Sequence, residues 1–403
     1  MAALTVLDGF RRTPLRFACV VLALQALVAG AALAADPEVG IETAIPEAVG
    51  VDSAPLVRLS EWIRKENLDV RSFLVIKDGK LIFERYSQGL TRNHNYELYS
   101  ITKNITALAA GVLVDGKKTR LDEKVATVLT KVRPDLKAAL ADKQAIELRH
   151  VLSMSTGLVY NFKPADDPIY YGAPDRLKLA AETTPKQRPG QEFDYTDVNP
   201  ILASATLGAD AGMPLQDFAE QKIFKPLGMK HYAWERADDK GLVSSGWGLR
   251  LRAIDMAKVG MLVLSGGRWN GQQIVSQAWM RTMTAPSSAP FYGLYWWLND
   301  IVATEPEVHA MGFKGQFIVA LPERNAVVVM TSMLPIEGGL RESKNVLAIR
   351  HMVNNFVLPA LDNKRQATLS PASKKALLKE LDLAAHSQGK PGAPVDPTDK
   401  PKL

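Results

Sequence analysis

Two stretches of the chain each carry a pair of apolar runs joined by a predicted turn, in the manner of β-hairpins. Residues 72–86 contain two runs rich in β-branched and aromatic residues, joined at Asp78-Gly79, a pair that two-residue hairpin turns favour. Residues 316–331 repeat the pattern around a predicted turn at 322–325. Because these hairpins lie far apart in the chain, we expect one antiparallel sheet built from both of its ends.

Between the hairpins the apolar spacing becomes that of helices. After Ser100, apolar residues recur at intervals of three and four, at Ile101, Ile105, Leu108 and Val112. Further helices are predicted at 149–154, 200–207 and 254–264.

These patterns predict an α+β fold. An antiparallel sheet flanked by helices is expected, with a mostly helical lobe inserted between the N- and C-terminal parts of the sheet. The predicted bounds are 35–110 together with 240–365 for the discontinuous α/β lobe, and 111–239 for the helical lobe.

The two ends of the chain carry patterns of their own. Three arginines before residue 17 precede an apolar run that closes on Ala32-Leu33-Ala34, the small-residue pattern of a signal-peptide cleavage site. We expect residues 1–34 to be a signal peptide cleaved after Ala34, which gives a periplasmic or secreted protein; an uncleaved anchor is the alternative. Residues 385–403, rich in Pro, Gly and charge, are expected to form a disordered tail.

Composition and charge narrow the possible functions. Cys19, the single cysteine, falls within the leader, so the mature chain is expected to have no disulfide and no thiolate metal site. Removing three arginines and Asp8 with the leader reduces the net charge from +6 to +4, which is too small to argue for nucleic acid. The histidines form no metal-binding motif, and neither a cofactor nor stable membrane insertion after signal cleavage is expected.

The candidate chemistry lies where the predicted helix begins. Lys103 follows Ser100 by three residues, so the two side chains share one helical face. In that place a neutral amine can take the hydroxyl proton directly, and an ammonium can lower the pKa of the hydroxyl by proximity. The alternative is an ordinary N-cap serine with a solvated lysine. Spacing alone does not decide, because Ser387 and Lys390 repeat it in the predicted tail.

Five segments strengthen the catalytic interpretation because they occur in a familiar order: residues 98–108, 148–158, 193–199, 266–271 and 312–316. Together they resemble the serine β-lactamase and penicillin-binding-protein superfamily, especially its class C-like esterases and 6-aminohexanoate-dimer hydrolases. The resemblance implies a β-lactamase-like fold and an acyl-enzyme on Ser100. It also implies catalytic roles for Lys103 and for Tyr195, the latter as general base and then as acid for the leaving group.

The second motif departs from the pattern of many relatives. Tyr195 is followed by Thr196 and Asp197, where those relatives have Tyr-Ser-Asn. Asp197 is expected to contact the substrate, where its carboxylate repels acidic substrates and argues against β-lactams; a plain helix-start carboxylate is the alternative role. Asn199 fits the Tyr-x-x-x-Asn spacing of the esterase and amide-hydrolase branch as a substrate-binding residue, and a plain helix-start role is equally open.

The third motif departs further, since Lys-Thr-Gly occurs nowhere in the chain. Gly312-Phe-Lys-Gly-Gln316 stands in its place, similar to the Gly-x-x-Gly-Gln of the amide-hydrolase branch. Gly312 and Gly315 would let the backbone approach the substrate, so that the N–H of Phe313 joins that of Ser100 in holding the oxyanion. A tight turn is the alternative role for both glycines.

Substrate-binding aromatic residues are expected at Tyr160, Tyr170 and Tyr171, on the loop before Tyr195, although packing against the core is an alternative for each. A serine–histidine–carboxylate triad through His309 is disfavoured, because the chain has no Gly-x-Ser-x-Gly elbow.

The sequence therefore predicts an exported serine hydrolase that acts on a small ester, amide or peptide-like substrate. The alternatives are β-lactamase or D-alanyl-D-alanine peptidase activity, and a non-catalytic cell-wall binding protein with a penicillin-binding-like fold.

Overall fold

The computed structural model describes residues 40–87, 89–160, 167–170, 172–234, 237–362 and 370–386 of the chain. The strands are β1 (Glu42–Thr43), β2 (Val70–Lys77), β3 (Lys80–Tyr86), β4 (Asn95–Glu97), β5 (Tyr232–Trp234), β6 (Leu249–Arg252), β7 (Arg268–Trp269), β8 (Gln272–Gln273), β9 (Trp297–Leu298), β10 (Val308–Gly312), β11 (Gln316–Leu321) and β12 (Ala326–Ser332). The helices are α1 (Ser53–Lys65), α2 (Thr102–Asp115), α3 (Val125–Val132), α4 (Leu148–Leu152), α5 (Arg176–Ala181), α6 (Val198–Ala211), α7 (Leu215–Ala219), α8 (Ala253–Leu264), α9 (Gln277–Met283), α10 (Lys344–Met352), α11 (Leu358–Leu361) and α12 (Pro371–His386).

The central sheet has seven strands in the order β1-β3-β2-β12-β11-β10-β9. Both predicted hairpins are confirmed, because β2 pairs with β3 and β11 pairs with β12. Asp78 and Gly79 have φ values of 50° and 77°, as a two-residue hairpin turn requires. β2 also pairs antiparallel with β12, so the sheet joins both ends of the chain as expected.

One strand of this sheet departs from the antiparallel pattern. The two residues of β1, Glu42 and Thr43, pair with β3 in parallel. The side chains of these strands also form an ion pair, with Lys80 Nζ 2.7 Å from Glu42 Oε1. A strand of two residues is too short to leave a period in the sequence, which is why the pattern did not predict it.

Helix α8 packs against the sheet through a glycine. A Cβ atom on Gly260 would lie 2.4 Å from Cγ1 of Val327 and 2.9 Å from Cγ2 of Ile318. Both neighbours are fully buried on β12 and β11, so the helix backbone rests directly on the sheet. The helix predicted at 254–264 is therefore confirmed, and it forms one of the layers that flank the sheet.

The stretch from residue 111 to 239 carries helices α3 to α7, and the helices predicted at 149–154 and 200–207 are confirmed as α4 and α6. The described residues of this stretch also form strand β5, which joins β4 and β6 in a three-stranded sheet ordered β4-β6-β5. Helix α2 crosses the predicted lobe boundary at 110/111, since it runs on to Asp115. The helix that follows Ser100 thus belongs to both predicted lobes and packs against α6 and α7.

The last described helix, α12, is fixed to α1 by a buried carboxylate. Glu380 accepts hydrogen bonds from Ser60 Oγ at 3.1 Å and from Arg64 Nη2 at 3.0 Å. Of the predicted tail, residues 385–386 end this helix and the rest lies outside the described residues, as does the predicted leader. In the described part of the chain, no helix combines the length and apolar character needed to cross a membrane.

Candidate active site

Ser100 lies in a single 3₁₀ turn, Tyr99–Ile101, that leads directly into α2. Tyr99 has a φ of 47°, a left-handed conformation that is unfavourable for a residue with a side chain. The Tyr99 carbonyl is held in place by a 2.7 Å hydrogen bond from Thr102 Oγ1. This strained turn leaves Ser100 half-buried at the head of the helix, and such strain is concentrated at functional sites.

Lys103 is the buried centre of the site. Its Nζ donates to Ser100 Oγ at 3.1 Å, to Asp197 Oδ1 at 2.8 Å and to the carbonyl of Gly246 at 3.1 Å. The side chain is 1% exposed. The serine and lysine that the sequence singled out therefore meet on one face of the helix, as the spacing of three predicts.

The charge state of Lys103 follows from its surroundings. Burial acts to lower the pKa of Lys103, but the charge of Asp197 and the contact with Tyr195 outweigh burial and hold that pKa above its usual value. Lys103 is consequently an ammonium at neutral pH. Of the two roles that the sequence left open, this geometry favours stabilising a developing negative charge over taking the serine proton directly.

Tyr195 reaches the same ammonium from the segment between α5 and α6. Lys103 Nζ lies 4.9 Å from the centroid of its ring. The ring stacks on Trp297 of β9 with centroids 5.6 Å apart and packs edge-on against Tyr292 at 6.3 Å. The Ser100 hydroxyl, the Lys103 ammonium and the Tyr195 ring thus lie close together, although they come from different elements.

Asp197 is the counter-ion of Lys103. It occupies the N-cap position of α6, yet its side chain makes no cap hydrogen bond there. One carboxylate oxygen accepts from Lys103 Nζ and the other accepts from Tyr170 Oη. Its side chain is 16% exposed, so the charge that was expected to face the substrate is largely directed at the lysine.

The side-chain amide of Asn199 is hydrogen-bonded to neighbouring residues of the protein. It is 1% exposed, and its Oδ1 accepts from Thr156 Oγ1 at 2.7 Å. Its Nδ2 donates to Thr196 Oγ1 at 3.0 Å, one turn back at the start of α6. This geometry favours the helix-start role among the two that the sequence left open, and the substrate-binding role predicted for Asn199 has no support in these contacts.

The two glycines of the third motif differ in role. A Cβ on Gly312 would lie 2.3 Å from the carbonyl oxygen of Leu98, so this glycine lets β10 approach the turn that carries Ser100. Gly315 has a φ of 92°, and its position faces Ser332 Oγ inside the protein, which is the tight-turn role. Gly312 ends β10 and Gly315 lies in the turn that joins β10 to β11, and neither is assigned to substrate binding by these contacts.

Phe313 stands between these glycines and is 48% exposed. Its ring packs edge-on against Tyr99, with centroids 5.4 Å apart, so the residue whose N–H is expected to hold the oxyanion adjoins the turn that carries Ser100. The predicted pairing of the Phe313 and Ser100 N–H groups fits this neighbourhood and stays a prediction.

The tyrosines expected to bind substrate both contact carboxylates. Tyr170 donates to Asp197, and its ring packs on Trp247 at 5.2 Å. Tyr160 donates to Asp167 Oδ1 at 2.6 Å. Tyr170 is therefore part of the site through Asp197, whereas the hydrogen bond of Tyr160 is to Asp167. Tyr171 lies outside the described residues.

His309 takes no part in a triad with Ser100. It is buried on β10, where its Nδ1 lies 3.0 Å from Glu307 Oε2. Its ring stacks on Trp297 at 6.3 Å and adjoins Phe317. In the described residues, no cluster of three or more His, Cys, Asp or Glu side chains is placed to hold a metal ion.

Sequence reasoning missed the loop that carries Gly246. Thr106 Oγ1 of α2 donates to the Ser245 carbonyl at 3.1 Å, and Ser245 Oγ donates to the Pro200 carbonyl at 2.6 Å. These bonds lock the loop between α2 and α6 and aim the Gly246 carbonyl at Lys103. The small residues at 244–246 were the available signal, but they point to a tight loop and not to its partner.

Comparisons with known proteins agree with the fold. A family model described as Beta-lactamase matches residues 69–350. The 6-aminohexanoate-dimer hydrolase of Paenarthrobacter ureafaciens is 23% identical over 300 residues, which are 68% of this chain and 74% of that protein.

A protein of Salmonella paratyphi A that is provisionally named D-alanyl-D-alanine carboxypeptidase is 28% identical over 216 residues, 47% of this chain. The chain spans 50% of the length of that relative. The solved structure of a D-amino acid amidase from Ochrobactrum anthropi SV3 aligns with a TM-score of 0.60 and 17% identity, covering 77% of this chain and all of that one. At this level of identity the structural match supports a shared β-lactamase-like fold alone.

Proposed function

Because the chain belongs to the beta-lactamase family, we propose that it is an exported serine hydrolase that cleaves an ester or amide bond through an acyl-enzyme on Ser100. The observation that carries the proposal is the 3.1 Å contact between Lys103 Nζ and Ser100 Oγ, with the Tyr195 ring beside the same ammonium. A surface serine with a solvated lysine would have no need of this arrangement.

The geometry suggests how the residues divide the reaction. Ser100 Oγ attacks the acyl carbon, and its proton passes to the Tyr195 oxygen, which accepts it in the phenolate form beside the Lys103 ammonium; Lys103 cannot accept it because it is already protonated. The carbonyl oxygen gains negative charge, which the backbone N–H groups of Ser100 and Phe313 are expected to hold. Tyr195 then returns the proton to the alcohol or amine as the bond to the acyl carbon breaks. Water hydrolyses the acyl-enzyme by the same proton path in reverse.

The environment of the nucleophile supports a neutral ester or linear amide over an acidic β-lactam. The Lys103 ammonium is paired with Asp197, and the chain has no Lys-Thr-Gly that would add a second cation. Similarity to a hydrolase named for the 6-aminohexanoate dimer, which is a linear amide, points the same way.

D-alanyl-D-alanine peptidase or β-lactamase activity is the second candidate, supported by the similarity to the Salmonella relative. A non-catalytic binding protein is the third, since the loss of Lys-Thr-Gly is compatible with it. The strained turn at Tyr99 argues against the third candidate, because a binding surface gains nothing from presenting Ser100 at such a conformational cost.

We expect the purified mature protein to hydrolyse short p-nitrophenyl esters and to leave nitrocefin essentially unchanged. The reason is that an ester needs only the nucleophile, the proton path and the oxyanion donors, whereas nitrocefin also carries a carboxylate and the chain lacks the Lys-Thr-Gly motif that would receive it. Release of p-nitrophenol and the colour change of nitrocefin are followed under the same conditions. Rapid nitrocefin hydrolysis without esterase activity would replace the proposal with the second candidate.

Export is proposed from the leader pattern alone. Cleavage after Ala34 gives a mature protein that begins at Ala35. N-terminal sequencing of the protein recovered from the periplasm or the medium of an expressing cell measures this directly. An N-terminus upstream of residue 17 on a membrane-bound product would indicate an uncleaved anchor instead.

A further inference from the structure

Lys103 has three acceptors for its three protons. An ammonium carries three N–H donors. In this site they are matched by the Ser100 hydroxyl, the Asp197 carboxylate and the Gly246 carbonyl, at 3.1, 2.8 and 3.1 Å. Of these three acceptors only Asp197 carries a charge. Because the lysine is 1% exposed, its charge is balanced from within the protein, and Asp197 is the group that balances it.

Asp197 is itself held in the position that this pairing needs. Tyr170 Oη donates to its second oxygen, and the Tyr170 ring packs on Trp247. A Cβ on Gly246 would lie 3.1 Å from Asp197 Oδ1 and 2.6 Å from Pro200 Cγ, so a side chain there would crowd the carboxylate. The carboxylate leaves the N-cap bonds of α6 unmade although it stands at that position. Its geometry serves the lysine and not the helix.

We propose that Asp197 is a positioning residue that keeps Lys103 an ammonium directed at Ser100 throughout turnover, so that the serine proton must pass to Tyr195. This inference rests on the proposed hydrolase function and assigns to Asp197 a role toward the lysine in place of one toward the substrate. No bond to Asp197 forms or breaks. The Ser100 proton goes to the Tyr195 phenol oxygen and returns from there to the leaving group.

The direction of the electrostatic effect is fixed by the surroundings of Lys103. Burial acts to lower its pKa, and Asp197 is the first of the groups that oppose burial, followed by Tyr195. Removing the carboxylate leaves burial in place, so the pKa of Lys103 must fall. The ammonium is present below that pKa and lost above it. Activity that needs the ammonium is therefore lost at a lower pH once Asp197 is neutral.

The other ionisable groups around the site do not replace Asp197. Tyr170 contacts the carboxylate, while Tyr292 and Tyr295 are buried phenols that interact with the charges of Tyr195 and Asp197. Burial, the larger cause, and these charges raise the pKa of both Tyr292 and Tyr295 well above the usual value, so they stay neutral over the working range.

The test compares Asp197→Asn with Asp194→Asn, an identical change at an exposed carboxylate three residues away on the same segment. The pH profile of kcat is measured for all three proteins with one p-nitrophenyl ester. We expect the alkaline limb of Asp197→Asn to move to lower pH, so that kcat near pH 9 falls at least about tenfold further than kcat near pH 6.5, since each pH unit of displacement is a factor of ten. The Asp194→Asn profile should overlay the wild-type profile.

A second measurement reads Lys103 without using activity. In protein labelled with ¹³C-lysine, the Lys103 Cε resonance is assigned by its absence from Lys103→Met, and its titration is followed in the wild type and both aspartate variants. A lower titration midpoint in Asp197→Asn alone supports the proposal, even if no ester is turned over, in which case the proposed hydrolase function fails and the pairing stands. The same midpoint in all three proteins, or a Lys103 that is neutral at pH 7 in the wild type, overturns the inference.

Discussion

Replacement of Ser100 by alanine is expected to abolish acyl-enzyme formation and to reduce ester turnover by a factor on the order of 10⁴ or more, because in the proposed mechanism the hydroxyl oxygen is the attacking atom. The change removes one oxygen from a half-buried side chain. Lys103 keeps its contacts with Asp197 and Gly246, so the fold and the ion pair should survive. Steady-state release of p-nitrophenol and the initial burst of product report turnover and acylation separately.

The chain supplies a matched control for this change. Ser387 precedes Lys390 by the same spacing of three, in the predicted tail. Ser387→Ala should retain full activity, because the spacing matters only where a helix and an ion pair hold the lysine against the hydroxyl. Retention of a substantial rate by Ser100→Ala, with thermal stability unchanged, would remove Ser100 from the mechanism.

Replacement of Tyr195 by phenylalanine is expected to slow turnover by a factor on the order of 10² or more, as the loss of a positioned general base does. Phenylalanine keeps the ring that stacks on Trp297 at 5.6 Å, so the packing of the segment is preserved and the phenol oxygen alone is lost. Since Lys103 is already protonated, it is not available to take over the serine proton. Single-turnover kinetics of acylation and deacylation measure the effect on each half of the reaction.

Tyr232→Phe serves as the comparison for this variant, because it removes a phenol oxygen from β5, a strand outside the site. That variant should turn over at the wild-type rate. If Tyr195→Phe also turned over at a near-normal rate, the proton would have to reach another group, and the assignment of Lys103 as a permanent ammonium would have to be revised with it.

The elements that could be predicted from the sequence are those with a local cause. The hairpin at Asp78-Gly79 follows from the only residue types that readily accept the left-handed turn, and α2 follows from apolar residues at spacings of three and four. The contact between Ser100 and Lys103 follows from helical geometry alone. Each of these depends on residues that are close in the chain.

The features that could not be predicted depend on partners that are distant in the chain. Asp197 reaches Lys103 across 94 residues and Gly246 reaches it across 143, and neither separation leaves a pattern in the sequence. An aspartate at position 197 suggested a negative charge that faces the substrate, because the sequence alone does not show that its carboxylate pairs with Lys103. Asn199 matched a family spacing, yet burial and its bond from Thr156 favour the structural alternative.

The roles of the two glycines in the third motif also depend on contacts that the sequence does not show. Two glycines three residues apart look alike in the sequence. Only the fold distinguishes Gly312, which admits the Leu98 carbonyl, from Gly315, which needs a positive φ and faces Ser332. The exposure of Phe313 beside them is likewise a consequence of how the turn is oriented between two strands, and not of its own residue type.

Whether Ser100 is an activated nucleophile is tested most directly by labelling the mature protein with a fluorophosphonate, followed by intact-mass analysis and peptide mapping. An activated serine hydroxyl displaces the leaving group from the reagent and keeps the phosphonyl group. We expect one adduct per chain, on the peptide that contains Ser100, and no labelling of Ser100→Ala. A folded protein that stays unlabelled, or that carries its adduct on another residue, contradicts this expectation.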